Sequence, residues 1–155
     1  LFLPWIKFNI TKDKDNRFYL LSFFVGRKRK RNLESAGKIM KQNELFKVKK
    51  ETLIISLPEE LDHYAAGKIR EQTDELFNGN RIRDVIFDYQ HTYFMDSSGI
   101  GLVMGRYRAV RFLNGNIYIV GVNDKISRIL NISGIYRVAK QSKNVEDALN
   151  EIERN

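Results

Sequence analysis

Two adjacent serines, Ser97 and Ser98, follow Asp96 at a point where a loop turns into a predicted helix. An amphipathic pattern runs on from Ile100 to Leu113. Ser and Asp side chains accept hydrogen bonds from the free N–H groups of a first helical turn. A phosphate carried there would face the positive end of the helix dipole. The pattern therefore predicts either an ordinary helix cap or a serine that carries a reversible phosphate.

Other chemistries find less support in the residues. The chain has no cysteine, which excludes disulfides, thiolate catalysis and cysteine-ligated metals. Its two histidines, His63 and His91, are isolated in sequence, and we predict no metal site. Neither serine lies in a G-x-S-x-G pattern, so a serine hydrolase is a weaker alternative. A small nucleotide-binding enzyme is also a weaker alternative. Gly99, Gly101 and Gly105 resemble a dinucleotide fingerprint, but their spacing has one residue too many.

The net charge of +8 is concentrated at the start of the chain. Residues 1–39 hold ten Lys and Arg against three acids, a net of +7, which leaves +1 for the remaining 116 residues. The apolar run Phe18–Val25 is too short to span a bilayer, and basic residues follow it, so we predict neither a membrane span nor a signal peptide. The charge balance after residue 39 argues against direct nucleic-acid binding by the domain.

We interpret residues 1–39 as a basic N-terminal extension, with one domain over residues 40–155. Three alternatives stay open for the extension: it binds anionic lipid or nucleic acid, it is a disordered segment without a role, or it is not part of the natural product. The last is favoured because the periodic pattern of a compact domain begins just after Met40, where translation could start.

The rest of the chain predicts alternating strands and helices in the order β-β-α-β-α-β-α-β-α. This order predicts an α/β fold, with a mixed, mostly parallel sheet of 4–5 strands and about four α-helices. Asp62 is expected to cap the first helix, with Gly79 in a left-handed conformation at its end. Asp124 is expected to cap a later helix. In the helix after Ser97, Leu113 is predicted to be buried, and three arginines are predicted to be exposed, namely Arg106, Arg108 and Arg111.

Two motifs carry a resemblance to a known family. Residues 94–101, Phe-Met-Asp-Ser-Ser-Gly-Ile-Gly, with Gly105-Arg106-Tyr107 downstream, resemble the signature of the STAS domain. Within that family they are most similar to bacterial anti-sigma-factor antagonists of the sporulation type. Residues 60–63, Glu-Leu-Asp-His, are similar to the family's second motif, although Glu59 stands where the family usually has a glycine. The resemblance covers about Met40 to Ile152.

The resemblance implies a phosphorylation switch in a protein that is not itself an enzyme. Such an antagonist binds an anti-sigma-factor serine kinase, which holds ATP, and thereby releases the sigma factor. The kinase then phosphorylates the first serine of the motif, Ser97, and a serine phosphatase restores it. Asp62 corresponds to the acidic position near the kinase's nucleotide. The implied partner-binding residues are Asp62, His63, Asp96, Ser97, Ser98 and Gly99.

The same resemblance implies a bacterial, cytoplasmic protein without a cofactor of its own and without membrane contact. A STAS-type signalling or nucleotide-sensing module in another phosphoswitch is the nearest alternative function.

Overall fold

The computed structural model describes residues 8–12, 18–22 and 45–154. The chain forms two compact units, Leu1–Gln42 and Asn43–Asn155. In the first unit, strands β1 (Phe8–Lys12) and β2 (Phe18–Ser22) pair antiparallel, with Phe8 opposite Ser22. The sequence pattern had not predicted this hairpin.

The second unit has seven strands among its described residues: β3 Phe46–Lys49, β4 Thr52–Ser56, β5 Glu60–Leu61, β6 Asp84–Asp88, β7 Phe94–Met95, β8 Ile117–Val120 and β9 Ala139–Gln141. Five of them form a sheet with the order β3-β4-β6-β8-β9. Strand β3 is antiparallel to β4, and the other pairs are parallel, which confirms the predicted mixed, mostly parallel sheet. The two very short strands, β5 and β7, form a separate parallel pair.

Helices cover both faces of the sheet. Residues of the first three helices belong to the larger hydrophobic cluster, and the last helix packs with β6 and β8 in a second cluster that contains Ile86 and Tyr118. No helix in the described part of the chain is long and apolar enough to cross a membrane. The helices are α1 His63–Gly79, α2 Ser97–Arg111, α3 Asp124–Ser133 and α4 Val145–Arg154, with a 3-10 turn at Ile135–Arg137.

The central strands are apolar throughout because both of their faces are covered. Val85, Ile86 and Phe87 of β6 are fully buried, as are the first three residues of β8. Their side chains alternate between the two clusters, so one strand supplies both cores. Consecutive apolar residues predicted these strands correctly for this reason.

Two helix ends differ from the predictions. Gly79 is the last residue of α1 and does not have a positive φ, since Asn80 ends the helix in an extended conformation and hydrogen-bonds back to the Leu76 carbonyl. The cap of α3 is Asn123, whose side chain accepts from the Ile126 N–H, and Asp124 is the first helical residue. An amide oxygen serves as well as a carboxylate in this position.

The predicted exposure of Arg106 and the predicted burial of Leu113 were also wrong. Arg106 is buried, where it donates to the Thr73 hydroxyl and the Asp74 carboxylate of α1. Leu113 is 46% exposed because α2 ends at Arg111, before the pattern does. A long cation can occupy a buried position when a hydroxyl and a carboxylate accept from it there, which periodicity cannot reveal.

Candidate functional site

The β5–β7 pair brings the two sequence motifs together. Glu60 lies opposite Phe94, and Leu61 lies opposite Met95. Just beyond the pair, the Asp96 N–H donates to the Leu61 carbonyl at 3.3 Å. Because the strands are parallel, both motifs leave them in the same direction and start their helices side by side. The juxtaposition of the motifs therefore depends on a sheet of two residues per strand.

Each motif then begins its helix in the same way. The Asp62 side chain accepts from the Ala65 N–H at 2.8 Å, and Asp96 Oδ1 accepts from the Ser98 N–H at 2.7 Å. Asp62 is thus confirmed as the predicted cap of α1, and Asp96 caps α2. Both carboxylates satisfy backbone donors of a first helical turn, where the helix dipole also favours negative charge.

The residues after the two caps meet across the gap between the helices. His63 and Ser97 are the first residues of α1 and α2, and both are exposed. His63 Nδ1 lies 3.2 Å from Ser98 Oγ, which joins the two first turns by a hydrogen bond. The structure therefore gathers five of the predicted site residues into one surface: Asp62, His63, Asp96, Ser97 and Ser98.

Gly99 belongs to the same motif but lies beneath this surface. It is buried, and a Cβ on it would lie 2.5 Å from Met95 Cγ and 2.9 Å from Leu61 Cδ2. Those distances are shorter than carbon atoms tolerate. Gly99 therefore lets α2 approach the short sheet closely, and its role in the described structure is packing.

The segment before β7 is tied to the segment before β5. Thr92 donates its hydroxyl proton to the Pro58 carbonyl at 2.8 Å, and the Tyr93 N–H donates to the Glu59 carbonyl at 2.9 Å. Glu59 takes part through its backbone, so a side chain is accommodated where the family usually has glycine. The Tyr93 hydroxyl donates to Glu60 Oε1 at 2.6 Å, and this hydrogen bond raises the pKa of Tyr93.

Sequence reasoning did not predict that three aromatic residues in or next to the two motifs are exposed. The side chains of Tyr64, Tyr93 and Phe94 are 68%, 51% and 41% exposed. Exposed aromatic residues are common in protein–protein contacts. The available signal was their position within or directly next to the motifs, since periodicity alone treats such residues as core.

The serine and histidine at this site do not form a hydrolase arrangement. A nucleophilic serine needs a base that is itself oriented by a third group. Within residues 45–154, His63 hydrogen-bonds only to Ser98, and His91 makes no hydrogen bond to either serine. What the site offers is an exposed hydroxyl at a helix N-terminus, surrounded by residues that a partner could contact.

Comparison with known proteins identifies the family. The family model of the STAS domain matches residues 45–148, which include both motifs and the whole five-stranded sheet. The end of α4 lies beyond the matched residues. The chain belongs to the STAS family. This confirms the resemblance carried by the two motifs.

Relatives and solved structures narrow the similarity within the STAS family. An anti-sigma F factor antagonist from Paenibacillus polymyxa is 33% identical over 101 residues, which are 65% of this chain and 86% of that protein. The anti-sigma factor antagonist SpoIIAA in its unphosphorylated form is 27% identical, with a TM-score of 0.64 over 71% of this chain and 97% of that one. The phosphorylated form of the Bacillus cell fate determinant SpoIIAA is 30% identical, with a TM-score of 0.56 over 69% and 98% of the two chains.

Proposed function

We propose that this STAS protein is an anti-sigma-factor antagonist whose unphosphorylated form binds an anti-sigma serine kinase and so releases a sigma factor. Phosphorylation at Ser97 ends that binding, and a serine phosphatase restores it. The exposed Ser97 hydroxyl at the N-terminus of α2 carries the proposal. The relatives support it, since SpoIIAA is known in both phosphorylated and unphosphorylated forms. The antagonist is the domain of residues 40–155, and it acts in the cytoplasm during sporulation.

The surroundings of the two serines favour Ser97 over Ser98 as the phosphate acceptor. Ser98 is half-buried, its hydroxyl contacts His63, and its N–H is held by Asp96. Ser97 is exposed, and within residues 45–154 its hydroxyl makes no hydrogen bond. A kinase can therefore reach the Ser97 oxygen without breaking a contact. Ser97 Oγ bonds to the γ-phosphorus of ATP as the bond to the β–γ bridging oxygen breaks, ADP leaves, and the hydroxyl proton passes to solvent.

The fold can accept this phosphate. Phosphorylation adds about −1.5 to −2 charges and three acceptor oxygens at neutral pH. At a helix N-terminus that charge interacts favourably with the dipole, by ~0.3–1 kcal/mol. The switch therefore does not require refolding of the domain.

Across an interface the same phosphate has the opposite effect. It would stand beside Asp96 and near Asp62, where a bound partner must exclude water. Like-charge repulsion and desolvation then both oppose association. A change of about 3 kcal/mol would weaken binding more than a hundredfold. The contact surface we propose consists of Asp62, His63, Asp96, Ser97 and Ser98, with Gly99 supporting it from beneath.

The test is phosphorylation of the full chain by the cognate kinase with ATP, read by intact mass. The unmodified protein should gain one phosphate, and Ser97→Ala should gain none because the acceptor oxygen is absent. Ser98→Ala is the matched control and should still be phosphorylated. In a binding assay, Ser97→Ala should retain the kinase, whereas Ser97→Asp should weaken it.

Stoichiometric phosphorylation of Ser97→Ala would show that the acceptor is another residue. Failure of the unmodified protein to bind the kinase at all would contradict the proposed function itself.

A further inference from the structure

Arg70 of α1 reaches the helix that carries Ser97. A methyl group placed on Gly101 would lie 3.9 Å from Arg70 Nη2, so the guanidinium lies against the exposed surface of α2 at Gly101. Gly101 follows Ser97 by four residues, and positions four apart share one face of a helix. Arg70 therefore approaches the face of α2 on which Ser97 stands, one turn further along.

Arg70 has no carboxylate partner among residues 45–154. The acid four residues later on α1, Asp74, is bonded instead to Arg106. The Arg70 side chain is exposed, and its five N–H donors are open to another acceptor. An arginine of this kind, one helical turn from the serine we propose to be phosphorylated, is suited to receive a phosphate.

A second hydrogen-bonding group stands at the start of α1. His63 begins α1, and its Nδ1 lies 3.2 Å from Ser98 Oγ, the neighbour of Ser97. The parallel pairing of Leu61 with Met95 puts His63 and Ser97 at equivalent positions, two residues beyond the pair on each strand. His63 and Arg70 are seven residues apart, so both project from one side of α1.

We propose that His63 and Arg70 are positioning residues that receive the phosphate of phosphorylated Ser97 within the same molecule. This inference rests on the proposed function of Ser97. The phosphate supplies three acceptor oxygens, and the arginine fork can bind two of them at once. His63 exchanges its contact with Ser98 for one with the phosphate.

The two nearest carboxylates act against this arrangement but are already engaged. Asp62 and Asp96 each accept a backbone N–H and stay at their helix caps. The added dianion therefore meets two like charges, which hydrogen bonds from Arg70 and His63 offset. Once bound, the phosphate lies along the gap between α1 and α2, on the surface that the kinase would contact. Phosphorylation then also removes His63 and Arg70 from that partner's reach.

The test uses the full chain with phosphoserine inserted at position 97 during translation, and it follows the second ionisation of the phosphate by ³¹P NMR. A nearby cation favours the dianion and lowers the pH of this ionisation. Arg70→Gln should therefore raise its midpoint by about 0.5–1 pH unit, a shift reduced by the exposure of the pair. His63→Gln should raise it in the same direction. Arg108→Gln and His91→Gln are the matched controls and should leave it unchanged.

A further variant separates position from charge. Gly101→Leu keeps the arginine but fills the space in which its guanidinium lies, so it should also raise the midpoint. An unchanged midpoint in both Arg70→Gln and His63→Gln would overturn the inference. Because the phosphoserine is inserted without a kinase, that result would leave the proposed function standing. A kinase that ignores Ser97 would contradict the function without changing this titration.

Discussion

Ser97 and Ser98 carry the same side chain and differ only in what surrounds it. One hydroxyl is exposed, and the other contacts His63 from a half-buried position. Residue type predicted that a serine here could be modified, while the contacts of each oxygen indicate which serine a kinase can reach. A residue's chemistry is thus set by its neighbours as much as by its identity.

Arg106 shows the same dependence on neighbours inside the fold. Its guanidinium is buried between α1 and α2 and bonds to Thr73 and Asp74, and Phe77 lies beneath it with its ring centroid 5.2 Å away. The pattern of the helix placed this arginine on the exposed face. The buried cation instead joins the two helices that begin at the candidate site.

We predict that Asp74→Ala lowers the free energy of unfolding by about 1–3 kcal/mol, because it leaves the Arg106 charge buried without its carboxylate. We expect no larger loss of stability, because the Asp74 side chain is 56% exposed and solvent screens its charge. Urea denaturation of both proteins would measure it. Glu75→Ala, one residue along α1 and exposed, is the control and should change stability by less than about 0.5 kcal/mol. Equal effects of the two substitutions would mean that the ion pair contributes nothing.

The short pair β5–β7 is the element on which the site depends. It holds the two motifs in register, although each strand has only two residues. Gly99 packs directly on it, against Met95 and Leu61. Any side chain at Gly99 would therefore separate α2 from the pair and displace the start of the helix that carries Ser97.

We predict that Gly99→Ala destabilises the domain by about 1–3 kcal/mol, as expected for overpacking in a filled core. Gly105→Ala, in the same helix, is the matched control. A Cβ on Gly105 would meet nothing within 4 Å, so its better helix propensity should raise stability by about 0.5–1 kcal/mol. Thermal unfolding of the two variants would measure both changes. A neutral Gly99→Ala would show that α2 does not need this close approach.

The order of long elements could be predicted from the sequence, and the site could be predicted only in part. Continuous apolar runs identified β4, β6 and β8, and the Asp62 cap followed from its position before a helical pattern. The pair β5–β7 was missed because two residues are too few to show a period. The hydrogen bond of His63 with Ser98 and the approach of Arg70 to Gly101 join distant parts of the chain, which no local pattern contains.

Over the whole second unit, acidic residues collect where the two motifs lie. The carboxyl ends of the strands lead to four acidic motif residues, Glu59, Glu60, Asp62 and Asp96. A partner that binds the motif edge meets several carboxylates even before modification. Phosphorylation adds about two more negative charges at the same edge. The affinity of such a partner should therefore depend strongly on the state of one serine.

The affinity of the cognate anti-sigma kinase for the two forms of the full chain tests this central claim most directly. Unmodified protein and protein with phosphoserine at position 97 would be titrated with the ATP-bound kinase by calorimetry. We expect the phosphorylated form to bind at least about a hundredfold more weakly, which corresponds to about 3 kcal/mol. Equal dissociation constants for the two forms would contradict the account.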